Sequence, residues 1–172
     1  MTVKIYYDDN EIELFDAKVV DVRVLHDSIL LELNRTAFYV EGGGQPSDEG
    51  YIEGYRMVRA FLEEGRIWHQ VIAPNMGWVD VRCRVNLALR QDYATQHTGQ
   101  HLLSQAFWRL FEGATSSFHL SNFTGAIDIA LPHLSQEEIK QAEALANEMV
   151  RHNLPVATSI IDDVASLPAE LR

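Results

Sequence analysis

Cysteine is almost absent, for the 172-residue chain has one, Cys83. A single thiol closes no intrachain disulfide and cannot supply the paired thiolates of a self-contained zinc ribbon, which agrees with a reducing, cytoplasmic setting. Long apolar runs are missing too. The longest stretch without formal charge, Tyr93–Trp108, carries Thr, Gln and His and falls short of the ~20 predominantly apolar residues of a membrane span. The N-terminus opens with Lys4, Asp8, Asp9 and Glu11 and shows no apolar core of a signal peptide, so neither secretion nor a membrane partner is expected. Positive charge is scarce: 14 Lys and Arg stand against 25 Asp and Glu, a formal net charge of -11. Divided at Asn86, both parts are acidic. Neither is a module that would capture nucleic acid by its field, so DNA is not an expected partner and any RNA must be gripped by a local patch.

What is present suits a globular chain, with 47% apolar and 23% charged residues and no internal repeat or low-complexity tract. From Val3 to Asn86, short β-branched and aromatic runs are cut by turn residues. Strands are expected at Ala17–Leu25, with Val20, Val22 and Val24 on one face, and at Ser28–Leu33, Thr36–Val40, Arg56–Leu62, Ile67–Ile72 and Val79–Val85. Half a dozen short strands in this space suggest a small β-barrel over residues 1–86. From Leu87 to about Phe111 the apolar spacing becomes helical: Leu102, Ala106 and Leu110 form one row, with Leu103, Phe107 and Phe111 beside it. This predicts one long helix or two abutting ones. Strands Ser116–Leu120 and Gly125–Leu131 follow, then an amphipathic helix Gln136–His152 opened by Ser135 with Glu138 three residues on. Val156–Ile161 reads as a further strand, and Asp162 or Asp163 as the cap of a short helix. The expected fold is α+β, a barrel over 1–86 followed by an α+β domain over 87–172.

Two stretches carry chemistry. In Gln96-His97-Thr98-Gly99-Gln100-His101, histidines at i and i+4 lie about one helical turn apart, so both imidazoles can reach one tetrahedral Zn²⁺. Capping or a solvated helix face explains the same spacing. The count is also short, since structural zinc takes four protein ligands and catalytic zinc about three plus water. No Glu follows His97, which sets aside the zinc-protease pattern. The second stretch is Thr36-Ala37-Phe38-Tyr39-Val40-Glu41-Gly42-Gly43-Gly44-Gln45-Pro46-Ser47-Asp48-Glu49-Gly50. Three glycines let the backbone take positive φ and approach a ligand, with the Gln45 amide at the rim. An ordinary hairpin connection is the alternative. No Lys-Ser/Thr pair follows, so a phosphate-binding P-loop does not apply.

Taken together, the two stretches closely resemble the AlaX-type alanyl-tRNA editing proteins and the editing domain of alanyl-tRNA synthetase. Thr36–Gly50 is similar to the family's glycine-rich GGQ motif and His97–His101 to the first half of its zinc motif. Further likeness runs through Ser117-Phe118-His119-Leu120, Ile127-Asp128 and Asn147 to Val156. The resemblance implies a free-standing, trans-acting deacylase that hydrolyses the ester joining serine, or glycine, to alanine tRNA. A synthetase pocket for alanine rejects serine weakly, so a second site able to bind the hydroxyl raises fidelity. By the same resemblance Thr36 bonds the serine hydroxyl, Gln45 positions the ester or the tRNA 3′ end, Gly43, Gly44 and His119 border the substrate, and His97 and His101 hold Zn²⁺.

One departure stands out. The family completes its zinc site with a Cys and a His spaced CxxxH, and no such pair occurs here; Cys83, before the helix, does not replace it. The expectation is a chain truncated before the end of the editing domain, holding two of four ligands, binding zinc weakly and inactive by itself. Two rival readings stand beside the deacylase: a non-catalytic module that binds charged tRNA or a synthetase, and a metal hydrolase of small esters. Among the remaining residues, His26, His69, His133 and His152 read as surface or turn positions. Trp68, Trp78 and Trp108 read as core, and Asp128 as a strand-end residue.

Overall fold

The computed structural model describes residues 1–121 and 124–155. Its N-terminal part holds eight strands, β1 (Val3–Lys4), β2 (Leu14–Val24), β3 (Ile29–Leu33), β4 (Arg35–Thr36), β5 (Gly50–Ile52), β6 (Tyr55–Glu63), β7 (Arg66–Val71) and β8 (Asp80–Val85). Six of them pair antiparallel in the ring β2-β3-β7-β6-β5-β8, while β1 and β4 form a small parallel pair beside it. The ring encloses a core of Phe15, Ala17, Ile29, Leu31, Leu33, Phe38, Ile52, Met57, Ile67, Val71, Val81 and Cys83. The hairpin between β6 and β7 turns at Glu64 and Gly65, both at positive φ, which matches the twist of paired strands. Glu53 and Gly54 do the same between β5 and β6, a strand pair to which the sequence reading assigned only β6.

Helix α1 (Leu87–Phe111) is continuous over 25 residues, and Asn86 caps it by accepting from the Leu89 amide at 3.2 Å. Strands β9 (Thr115–Leu120) and β10 (Gly125–Ile129) form an antiparallel hairpin, and α2 (Gln136–His152) follows. Ala106, Phe107 and Ala142 make a second core where α1 meets α2, joined by Leu103, Phe111 and Ile129. The molecule is α+β with a mostly antiparallel sheet and two long helices. Among the described residues no helix is long and apolar enough to cross a membrane.

Several expectations are corrected. Thr36–Val40 is not a strand beyond Thr36, although Ala37, Phe38 and Val40 are buried. The Phe38 amide donates to Thr36 Oγ1 at 3.1 Å and the Tyr39 amide to Asp48 Oδ2 at 2.6 Å, so side chains satisfy donors that a ladder would have used. Within the Val20-Val22-Val24 row only Val22 packs against the core. Phe15 and Ala17 point inward, and a register shift between Val19 and Asp21 leaves Val20 and Val24 exposed. Trp108 is 51% exposed and Leu110 42% exposed, so neither is a core residue. His69 is fully buried rather than a surface residue. The expected strand Val156–Ile161 and the helix after it lie outside the described residues.

Candidate functional site

The glycine-rich loop is shaped by its own backbone. Gly42 and Gln45 exchange two amide-carbonyl bonds of 3.2 and 3.1 Å, and between them Gly43 and Gly44 sit at φ of 60° and 78°. Side chains other than glycine adopt two successive positive φ values only with strain, which is the local reason for the glycines. Gly44 has a second reason. A Cβ there would lie 2.5 Å from the Phe118 carbonyl oxygen, so only glycine lets the loop come down on β9, where the Leu120 amide donates to Gly44 O at 3.0 Å.

This turn delivers Gln45 to the helix. Gln45 Oε1 lies 2.9 Å from His97 Nδ1, a contact between residues 52 positions apart. An amide oxygen only accepts, so His97 carries its proton on Nδ1 and keeps the Nε2 lone pair. His97 and His101 stack with ring centroids 4.9 Å apart and planes 18° apart, and the Phe118 ring lies 5.5 Å from that of His97, tilted by 32°. A Cβ on Gly43 would stand 4.0 Å from His97 Cε1. Burial, with a smaller contribution from His101, holds the His97 imidazole below the usual histidine range. His101 is exposed.

Gly43, Gly44, Gln45, His97 and His101 are therefore brought together. Thr36 and His119 make none of these contacts. Thr36 is fully buried among the barrel strands, its hydroxyl 2.8 Å from His69 Nε2. His119 is exposed, and strand alternation puts it on the side of β9 opposite Phe118. Asp128 accepts a hydrogen bond from the Ser117 hydroxyl across the hairpin. The sequence reading missed Arg90 and Asp48 as partners: they form an ion pair sealed between the loop and α1. A signal was available, because Arg90, His97 and His101 stand at i, i+7 and i+11, one stripe of a helix.

His97 and His101 share one helical face, and the Gln45 bond to Nδ1–H fixes the direction of the His97 ring. Among the described residues no group of three or more His, Cys, Asp and Glu side chains converges to hold a metal. Cys83 is no candidate. It lies in the barrel core, and burial pushes its thiol up to about 12.

No family model matches the chain. Known proteins do. The chain is 33% identical to the alanyl-tRNA editing protein AlaX-L of Pyrococcus horikoshii over 180 residues, which takes in 99% of the chain and 43% of that protein. It is 32% identical to the alanyl-tRNA editing protein Aarsd1 of Bos taurus over 124 residues, 72% of the chain and 28% of the relative. With the alanine–tRNA ligase of Korarchaeum cryptofilum the identity is 35% over 169 residues, 91% of the chain and 18% of the ligase. The proteins it resembles thus fall into one class, that of alanyl-tRNA editing proteins and alanine–tRNA ligases. Within that class the chain is similar to the AlaX-type alanyl-tRNA editing proteins. It spans less than half the length of the curated relatives it matches.

Proposed function

We propose that this chain is the deacylating part of a trans-editing hydrolase that removes serine, or glycine, from mischarged alanine tRNA. One observation carries the reading: the Gln45–His97 bond joins the two stretches most like the editing family into one open-sided site. We read residues 1–86 as a small barrel domain that supplies the loop and 87–172 as the editing domain that supplies the histidines. In the reaction water attacks the ester carbonyl, the tetrahedral adduct collapses, and the amino acid leaves the ribose oxygen of the terminal nucleotide. Zn²⁺, held by His97 and His101, would supply Lewis-acid polarisation of the ester or an activated water. Gln45, through Oε1, fixes the tautomer and direction of His97, while its NH₂ group has no acceptor among the described residues and is free to meet the ester or the 3′ end. Phe118 lies beside the His97 ring and excludes water from that side.

Thr36 is the family-like choice for the serine hydroxyl. Its own proton goes to His69 and one lone pair takes the Phe38 amide, which leaves one lone pair to accept from a substrate hydroxyl that alanine lacks. Thr36 is covered in this structure, so direct contact requires its cover to open.

The test is hydrolysis of serine-charged against alanine-charged alanine tRNA by the full protein with added Zn²⁺. Seryl ester should be cleaved at least about 100-fold faster, and His97→Ala should abolish the difference. Equal rates on both esters would remove the editing claim. Tight binding of charged tRNA with no hydrolysis would establish the module reading instead, and cleavage of free aminoacyl esters without tRNA the general hydrolase.

A further inference from the structure

Among the described residues the most thoroughly buried ion pair lies outside the histidine pair. Arg90, in the first turn of α1, is 8% exposed and Asp48, in the glycine-rich stretch, is 0% exposed. Arg90 Nε donates to Asp48 Oδ2 at 3.0 Å, and Nη2 bonds both that oxygen and the Ala37 carbonyl. Nη1 donates to the Asn10 carbonyl at 2.8 Å. One guanidinium thus ties the helix to the start and the end of the Thr36–Gly50 stretch and to the loop before β2. The same Asp48 oxygen takes the Tyr39 amide, while Oδ1 is sealed with no partner among the described residues.

That orphan oxygen argues against a pure stability role. A buried pair offsets the loss of hydration only when its lone pairs are satisfied, and replacing such a pair with apolar groups is often neutral or stabilising. Its best-attested use is to specify one arrangement among several. Here the arrangement is identifiable. His97 follows Arg90 by seven residues, about 20° from the same line along α1 and ~10 Å further along its axis. Gln45 precedes Asp48 by three residues, a segment containing Pro46 that spans at most about 10 Å when extended. Loop and helix therefore touch at two matched points, Asp48 to Arg90 and Gln45 to His97. Two points fix both the rotation of the helix and its sliding against the loop.

We propose that Arg90 is a positioning residue for the histidine site: gripped by Asp48 and the Ala37 and Asn10 carbonyls, it sets the rotation of α1 so that His97 meets Gln45. Its importance for deacylation rests on the function proposed above, but the positioning itself does not. A lysine in its place keeps the charge and loses the planar fork that reaches three acceptors at once.

The experiment compares the full protein with Arg90→Lys, Arg90→Met and Asp48→Asn. Fold is read from amide spectra and thermal melts. The His97 site is read from long-range ¹H–¹⁵N correlations of its imidazole, assigned by their loss in His97→Gln. In the parent, His97 should show the Nδ1–H tautomer. In folded Arg90→Lys and Arg90→Met that preference should give way to mixed tautomers, with kcat on serine-charged tRNA falling about 100-fold and KM moving less than about 3-fold. Asp48→Asn, which keeps an oxygen for the guanidinium, should recover part of both. Unchanged His97 signals in the folded Arg90 variants would overturn the proposal, and so would unfolding of all three variants, which would leave the pair a stability element alone. If the His97 signals shift as expected while the parent cleaves no charged tRNA, the positioning stands and the deacylase reading falls.

Discussion

His69 shows how one buried side chain couples folding to pH. Its Nδ1–H donates to the Leu31 carbonyl at 3.0 Å, so Nε2 accepts the Thr36 hydroxyl proton at 2.8 Å. Burial lowers its pKa to about 4, against an unfolded value near 6.5. Above about pH 6.5 the ring is neutral in both states and has no pH-dependent effect. As pH falls from there to about 4, the unfolded chain binds a proton that the folded chain refuses, and stability drops by about 3 kcal/mol before levelling off. Urea unfolding at several pH values across that window should show the decline in the parent and lose that component in His69→Gln. The same slope in both proteins would assign the acid sensitivity to other groups.

At the scale of elements, α2 carries its own start signal. Ser135 Oγ accepts from the Glu138 amide at 3.3 Å and the Glu138 carboxylate takes the Ser135 amide at 2.8 Å, a reciprocal box; the Ser135 hydroxyl, donating to the carboxylate at 2.7 Å, and then that amide draw the Glu138 carboxyl below its usual range. Ser135→Ala should cost about 1 kcal/mol, a drop of roughly 3 °C in Tm, with Ser135→Thr restoring most of it. No change in the melt would mean that the α1–α2 packing, through Phe107 and Ala142, holds α2 without its cap. This element was legible beforehand down to its ends, because capping and amphipathic spacing are local properties. The segment after Thr36 was not. Its β-branched and aromatic residues are those of a strand, but Asp48 and the Thr36 hydroxyl claim its amides, and Asp48 is brought there only by the fold.

For the molecule as a whole, stability resides in the barrel interior and the helix contact, while the histidine pair lies at the edge of both. His101 is exposed, so His101→Ala should change the unfolding free energy by less than about 0.5 kcal/mol. The same substitution should remove what Zn²⁺ binding this 172-residue chain has. Calorimetric titration of the parent with Zn²⁺ should show an affinity far below the ~10–16 kcal/mol of a complete structural ligand set. A binding free energy in that range would mean that further ligands complete the site.

The residues by themselves determined the α+β class, the approximate places of β2, β3, β6, β7 and β8, and both helices. Each of these follows from periodicity, turn chemistry or capping within a few neighbouring positions. Tertiary structure decided the rest. His69 sits in a stretch that reads as a half-exposed strand, and only closure of β3, β6 and β7 around it makes it interior. The inner face of β2 is set by a bulge that no alternation announces. Arg90 looks like any helix-surface cation until Asp48, 42 positions earlier, is folded against it. Contacts between residues far apart in the chain depend on where whole elements come to rest, and that is a property of their shared packing rather than of either segment.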